Sequence, residues 1–405
     1  MTALLLRAVE VAPGRTGLAA VRSALGDRLD GAGPPFALVP EPSRHVSDAY
    51  SQMVRLALRP EEPVDNDDTV VVVATSGSTG TPRGVCITRD NLVAAVGASW
   101  ERVPGLRDCA WAVALPVTSI AGFIALVRAH VGATPVHCLD SIGGGGAFVP
   151  AALMTLPITQ PFAVSLVPTQ LSDALDSPEV TRWLTDATAV MVGAASTSGQ
   201  LAERARAVGI RLVTTYGMTE TTGGCVYDGA PLPGVTVEVD HVNPTTGAGR
   251  ISLGGAVIAA GYRLDPLATS AAFTHRGGQG HFSTADHGSW HGGRLEVLGR
   301  MDDVVIIRGV NVGLNAVEAV VRSESSVRDV AVVAVPDLRA GHRIIAFVVP
   351  NDPSRLGSIA GLVADRLGGA ARPEVIEIAQ LPLLMNGKID RLTLRTLAQK
   401  DAQGQ

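Results

Sequence analysis

Residues 69–84 read TVVVVATSGSTGTPRG, and the architecture is decided here. Branching at Cβ suits the packed, pleated surface of a sheet, so the valine run predicts a buried strand. It stops in small and hydroxylated residues and leads, from Asp90 onward, to an amphipathic segment. The order strand, loop, helix opens an α/β unit. Within the loop, Thr75 to Gly84, the glycines Gly77, Gly80 and Gly84 let backbone approach a polyanion closely. The hydroxyls of Thr75, Ser76, Ser78 and Thr79 can donate to phosphate oxygens. A Ser/Gly-rich turn is the plainer alternative. A Walker loop is excluded, because the Gly-Lys-Ser/Thr ending is missing.

Outward from this stretch the texture repeats. WAVALPV precedes a helix at IAGFIALVRAHV, AVMVGAA precedes GQLAERARAVG, and FAVSLVP and RLVTTYG are further short apolar runs. Such strands between helices predict parallel sheets covered on both faces. From Gly234 to Gly261 residues alternate between turn signals, predicting a small antiparallel β subdomain over about 234–298. Beyond Arg300 the expected order is strand (DDVVIIRG), helix (LNAVEAVVRSE), strand (VRDVAVVAVPD), strand (HRIIAFVVP), helix (IAGLVADRLGG) and a lysine-bearing loop. The expected fold class is α/β, with a large N-terminal domain of residues 1–299 and a small α+β C-terminal domain of residues 300–405. Met1 to Asp68 ends in EEPVDNDD and is assigned no site. IGGGGAF, from Ile142 to Phe148, is expected to be a flexible loop.

The 405 residues suffice for two domains. A formal net charge of -5 leaves no basic surplus for a phosphate backbone, so nucleic acid is not an expected partner. Cys86, Cys109, Cys138 and Cys225 lie far apart with no Cys-x-x-Cys pair, which argues against zinc and disulfides and for a reducing compartment. The start, MTALLLRAVEVAPG, lacks the basic leader and cleavage site of a signal peptide. Apolar stretches are broken well short of the roughly 18–20 residues a membrane span needs, so a cytoplasmic protein without membrane insertion is expected. The sequence is compatible with a homodimer.

The decamer from Thr75 resembles the phosphate loop of the adenylate-forming superfamily of acyl-CoA synthetases, nonribosomal-peptide adenylation domains and luciferases. Further matches follow in family order. Thr215-Tyr216-Gly217-Met218-Thr219-Glu220-Thr221 is similar to the aromatic-Gly-x-Thr-Glu motif. The resemblance implies that Tyr216 stacks near adenine, Thr219 meets the α-phosphate and Glu220 holds Mg²⁺. Gly193-Ala194-Ala195 stands at the adenine-side strand end. His281 to Gly288 resembles the segment whose aspartate, here Asp286, binds the ribose. Gly299 to Asp303 matches the interdomain motif, with Arg300 a ribose ligand and Asp302 the hinge of a mobile small domain. A solvated turn is the alternative for Asp302 and Asp303. Leu381 to Arg391 resembles the C-terminal loop whose lysine, here Lys388, reaches the substrate carboxylate and α-phosphate; an ammonium there neutralises developing charge.

What the resemblance implies is an enzyme that takes ATP, Mg²⁺, a small carboxylic acid and coenzyme A, and makes an acyl-adenylate and then a thioester. Three segments are similar to the o-succinylbenzoate–CoA ligase branch: the run from Thr215 to Val239, LPVTSIAGFIALVRA, and the shortened N-terminus. That likeness implies an acyl site holding Ser119, Gly122, Thr222 and Gly223, with Arg128 facing the substrate's second carboxylate. An Arg on the helix surface is the alternative. Four departures stand out: Arg83 where the loop usually carries lysine, Ser119 where the branch has histidine, Ala285 for glycine, and Ala194-Ala195 for a glycine pair.

Overall fold

The computed structural model describes residues 4–403 apart from 44–45, 76–81, 141–147, 160, 245–246, 338 and 385–388; at 302, 311, 355 and 401–403 it describes backbone alone. The glycine-rich loop 142–147 therefore lies outside the described residues. The first sheet runs, in order, Arg7–Val11, Phe36–Pro40, Thr69–Ala74, Gly84–Thr88 and Gly261–Tyr262. Its first three strands are parallel and the last two antiparallel. The second sheet carries five parallel strands, from Val136–Cys138 across Ala110–Val113, Phe162–Leu166 and Ala189–Val192 to Leu212–Met218. Gly223–Tyr227 and Ala230–Pro231 continue it antiparallel.

One element differs from the sequence reading. The loop after Ala74 leads into an antiparallel strand, Gly84–Thr88, before any helix begins. No helix N-terminus therefore sits at the end of that loop. The helix Arg89–Arg102 starts five residues later, closed by reciprocal bonds between Thr88 and Asn91. Residues before Asp68 supply two parallel strands of the first sheet, and every residue of Phe36–Pro40 is buried. The predicted antiparallel subdomain is present: Thr236–Asp240, Ala248–Gly254, Gln279–His291, Phe273–Arg276 and Arg294–Arg300 form one antiparallel sheet.

Between the first two sheets lies the helix Ile120–Val131, buried without interruption from Gly122 to Ala129. Its Phe123 ring meets Phe36 of the first sheet edge-on at 6.3 Å. One apolar core spans both sheets and the antiparallel subdomain, and a second, with Leu6, Ala37, Val39, Val54, Leu58, Val72 and Cys86, covers the other side of the first sheet; two further cores lie from Ile307 onward. The four cysteines are buried and unpaired. Burial pushes the thiols of Cys86, Cys138 and Cys225 up to about 12, so they stay protonated.

The C-terminal part comprises the hairpin Val304–Ile307 with Val310–Gly313, the helix Leu314–Arg322, and the sheet Val327–Asp337, Gly341–Pro350, Glu374–Glu377. The strand Glu374–Glu377 and the last helix, Arg391–Gln403, add to the predicted order. A half-buried ion network ties this part together. Glu318 accepts from Arg322 at 3.0 Å, from Arg391 at 2.8 Å and from the Val332 N–H at 3.1 Å. Arg322 also binds Asp329 at 2.8 Å. Burial alone would raise the Glu318 carboxyl; Arg391 and Arg322 outweigh it and hold the group below its ordinary range.

A carboxyl held low when folded contributes stability above its unfolded pKa, and that stability is lost as pH falls through the lowered folded value. Glu318→Gln should therefore unfold the C-terminal part about 3 kcal/mol more easily at neutral pH. Urea titrations across acid pH should show a smaller pH dependence for the variant than for the parent chain; equal slopes would contradict the ion-network account.

Candidate active site

The strand Leu212–Met218 ends in a single 3-10 turn, Thr219–Thr221, and the chain returns along Gly223–Tyr227. Thr221, wholly buried, closes the reversal: its hydroxyl oxygen accepts from the Met218 N–H at 2.9 Å and donates to the Gly223 carbonyl at 2.8 Å. Thr222 sits at φ 54° and anchors the far side through a 2.8 Å bond to the Val257 carbonyl. A Cβ on Gly217 would lie 2.1 Å from the Gly223 carbonyl, so only glycine permits this approach. The turn presents Glu220, half-buried. Its Oε1 accepts from the Tyr262 hydroxyl at 3.0 Å.

Tyr262 is the residue the sequence reading missed. It stands on the short strand Gly261–Tyr262, opposite Val85, two residues past Arg83. The Arg83 guanidinium lies over its ring, 5.3 Å from the centroid. Burial raises the Tyr262 phenol, and the neighbouring Glu220 charge raises it further, so the hydroxyl remains a donor. Arg83, at the end of the 75–84 loop, and Glu220, far along the chain, are thus joined by one ring. Among the described residues no three His, Cys, Asp or Glu side chains cluster. A divalent ion beside Glu220 would take one protein carboxylate and complete its shell from phosphate oxygens and water, a donor set that suits Mg²⁺.

A second cluster joins the two sheets that face the site. The Tyr216 hydroxyl donates to Asp286 Oδ2 at 2.7 Å. Asp286 is paired in register with Arg300, whose guanidinium stands 3.9 Å from Oδ1. The Asp286 N–H donates to the Thr284 hydroxyl at 2.9 Å, and Thr284 donates to the Ile251 carbonyl at 2.8 Å. Burial, then the Asp286 charge, raises the Tyr216 phenol and keeps it protonated. Nearby, a Cβ on Gly193 would lie 2.3 Å from Thr215 Oγ1, so glycine is required. Ala194 is exposed at φ 69°, a left-handed conformation costing a non-glycine residue about 1 kcal/mol; Ala195 follows it, also exposed.

The third group is the proposed acyl side. Ser119 caps the helix Ile120–Val131: its hydroxyl oxygen accepts from the Gly122 N–H at 3.4 Å and donates to the Pro116 carbonyl at 2.7 Å. That is a local reason for serine here. A Cβ on Gly122 would lie 2.3 Å from the Pro116 carbonyl. A Cβ on Gly223 would lie 3.5 Å from Ile124 and 3.8 Å from Ile120 of the same helix, so the helix runs close to the Glu220 turn. Arg128 is not the helix-surface arginine of the alternative reading. It is 3% exposed and donates to Ser99 at 3.1 Å and to the Tyr227 hydroxyl at 2.9 Å, above the Trp111 ring at 5.1 Å.

Ser76, Gly77, Ser78, Thr79, Gly80 and Lys388 lie outside the described residues. The side chain of Asp302 does too; its backbone belongs to the turn Met301–Asp303. Gly299, at φ 138°, lies against Asn315, whose amide donates to Asp303 at 3.2 Å. Leu383 pairs with Ile389, and the Asp390 N–H donates to the Pro382 carbonyl at 2.8 Å. The two flanks of 385–388 are therefore fastened to each other.

The chain belongs to the AMP-binding enzyme family, a class of adenylate-forming enzymes. Residues 18–263 match that family, and residues 316–388 match the AMP-binding enzyme C-terminal domain. The chain is 37% identical over 398 residues to the "Probable 2-succinylbenzoate–CoA ligase" of Mycobacterium tuberculosis, covering 96% of this chain and 97% of that one. It is 29% identical over 336 residues to the Escherichia coli 2-succinylbenzoate–CoA ligase, covering 80% and 68%. Among solved structures, the fold matches the o-succinylbenzoate CoA synthetase of Bacillus subtilis in complex with its acyl-adenylate intermediate, at TM-score 0.72, 20% identity, and 97% and 89% coverage. It matches the amide bond synthetase of Marinactinospora thermotolerans at TM-score 0.72, 22% identity, and 96% and 89% coverage.

Because Ser119 acts as a helix cap, Ser119→Ala should cost about 1 kcal/mol of stability in chemical denaturation, and Ser119→Asp should restore most of it. A full loss with both variants would show that the serine serves something other than the cap.

Proposed function

We propose that this chain is an acid–CoA ligase that joins ATP and a carboxylic acid into an acyl-adenylate, releases pyrophosphate, and passes the acyl group to coenzyme A. The acid we propose is o-succinylbenzoate, the dicarboxylate of menaquinone biosynthesis. The end-to-end likeness to the mycobacterial relative supports this choice. The observation in this chain that carries it is Arg128. A buried guanidinium whose partners among the described residues are neutral hydroxyls lacks the counter-charge that normally accompanies a buried ion. Tyr227, which it holds, lies against Gly224, next to the acyl-side Gly223. A second carboxylate on the acid would offer Arg128 the missing anion.

For the adenylating step the reading assigns Lys388 to the carboxylate and α-phosphate. The chain contains 33 basic residues, of which Lys388 and Lys400 are the only lysines. In so arginine-rich a sequence, an ammonium kept at the end of Asn386-Gly387 marks a place where a compact point charge is needed. In the proposed roles, Asp286 and Arg300 hold the ribose, Tyr216 lies along adenine, and Thr219, Arg83 and the 75–80 loop hold the phosphates. Glu220 would hold Mg²⁺, which supplies charge neutralisation at the triphosphate. Positioning and charge stabilisation then give in-line attack most of its acceleration. Asp302 is the proposed hinge for the change between the two half-reactions.

A second acceptor is kept in view by a specific observation: the amide bond synthetase and the CoA synthetase match this fold at the same TM-score of 0.72. An amine or a carrier thiol is therefore compared with coenzyme A. A pyrophosphate-release screen over aromatic and aliphatic acids, with mass spectrometry of the products from each acceptor, tests the reading. Turnover of another acid with no o-succinylbenzoyl-CoA would reject it.

Lys388→Ala should lower pyrophosphate release at least a hundredfold and leave thioester formation from supplied acyl-adenylate within a few-fold of the parent. Equal damage to both halves would remove Lys388 from its assigned role. Arg128→Met should raise KM for the dicarboxylate by about tenfold or more relative to a monocarboxylate analogue, the loss of one charged partner. Parallel changes in both acids would return Arg128 to a purely structural part.

A further inference from the structure

We infer that Tyr262 is a positioning residue that couples the metal-binding carboxylate to the phosphate loop, an inference that rests on the ATP-binding reading above. Three observations carry it. Its hydroxyl fixes Glu220 through a 3.0 Å bond to Oε1. Its ring carries the Arg83 guanidinium at 5.3 Å. The ring itself is braced: it packs edge-on against Phe273 at 5.2 Å, and Phe273 packs against Phe282 at 4.8 Å. The backbone is braced as well, since the Tyr262 N–H donates to the Thr269 hydroxyl at 2.9 Å, and a Cβ on Gly261 would lie 2.6 Å from the Thr269 methyl.

Each contact has a separate consequence. A carboxylate that must coordinate a cation loses rotational freedom on binding, and a fixed donor on one oxygen reduces that loss and leaves the second oxygen oriented; groups of this kind typically change metal affinity 10–100-fold. A planar guanidinium stacks on an aromatic face where an ammonium would keep its water, which gives arginine at position 83 a use for a neighbouring ring. Arg83 stands at the end of the 75–84 loop and Glu220 on the turn after Met218. Tyr262 touches both. Phosphate and metal binding are thereby linked in one rigid unit.

The hydroxyl and the ring can be separated by substitution. Tyr262→Phe keeps the ring and its packing and removes the donor; Tyr262→Leu removes both. Calorimetric titration of ATP, in EDTA and in excess Mg²⁺, reads the two contacts without requiring turnover. For the parent chain Mg²⁺ should tighten ATP binding. Tyr262→Phe should leave the affinity in EDTA within twofold and cut the Mg²⁺-dependent tightening by about tenfold. Tyr262→Leu should in addition weaken binding in EDTA, by about three- to fivefold for the lost cation–π contact. Tyr262→Phe binding Mg·ATP like the parent, while Glu220→Gln loses the Mg²⁺ effect, would overturn the coupling and leave the metal role of Glu220 standing. Should Glu220→Gln retain the whole Mg²⁺ effect, the metal reading itself fails, and the inference with it.

Discussion

The buried hydroxyl of Thr221 is the constraint on which the site depends. A chain that reverses from one strand to the next within Thr219–Thr221 must leave peptide groups unpaired, and in a dry interior each unpaired group costs on the order of 1–3 kcal/mol. Thr221 answers two of them at once, Met218 on the way in and Gly223 on the way out. With the reversal fixed, the positions around it have no freedom left. Glu220 is turned toward Tyr262, Tyr216 toward Asp286, and Gly223 toward the helix Ile120–Val131. Three groups proposed to serve metal, nucleotide and acid are thus aimed by one threonine.

Around that turn, charges are placed in hydrogen-bonded pairs whose partners come from different sheets. Tyr216 belongs to the large parallel sheet and Asp286 to the antiparallel one. Glu220 follows the parallel sheet, and Tyr262 belongs to the first. Neither pair can form until the sheets have docked, so the site is a product of packing between layers. Phenols suit this seam. Burial holds both protonated, and a neutral donor can steer a carboxylate without cancelling the charge that a ligand or metal will need.

How much could be read in the sequence follows from how local each signal is. The motifs at 75–84, 215–221, 281–288 and 299–303 are contiguous, and their order alone identified the family. Strands such as Phe162–Leu166 and Ala189–Val192 are legible because they are short, almost wholly apolar and flanked by helices. Gly84–Thr88 was not, since GVCIT has neither alternation nor length to separate it from the loop before it. Tyr262 was not, because its importance comes from residues 42 and 179 positions away along the chain. Arg128 had a signal that was available: it interrupts the apolar run FIALVRA, and a helix apolar on all faces is buried on all faces.

The C-terminal part imposes a last constraint, on motion. Arg391 lies three residues after Lys388 and is fixed to Glu318 and the Val332 carbonyl. Glu318 is in turn fixed through Arg322 to Asp329. The helix Leu314–Arg322, the strand Val327–Asp337 and the start of the helix Arg391–Gln403 are therefore one ionic unit. To move Arg391 away by itself would leave the half-buried Glu318 carboxylate with fewer cations, a destabilising change. Rotating the whole part about the turn at Met301–Asp303 disturbs none of these bonds. If the lysine at 388 must withdraw before a thiol can attack, rigid rotation is the inexpensive route, and this network is what makes it so.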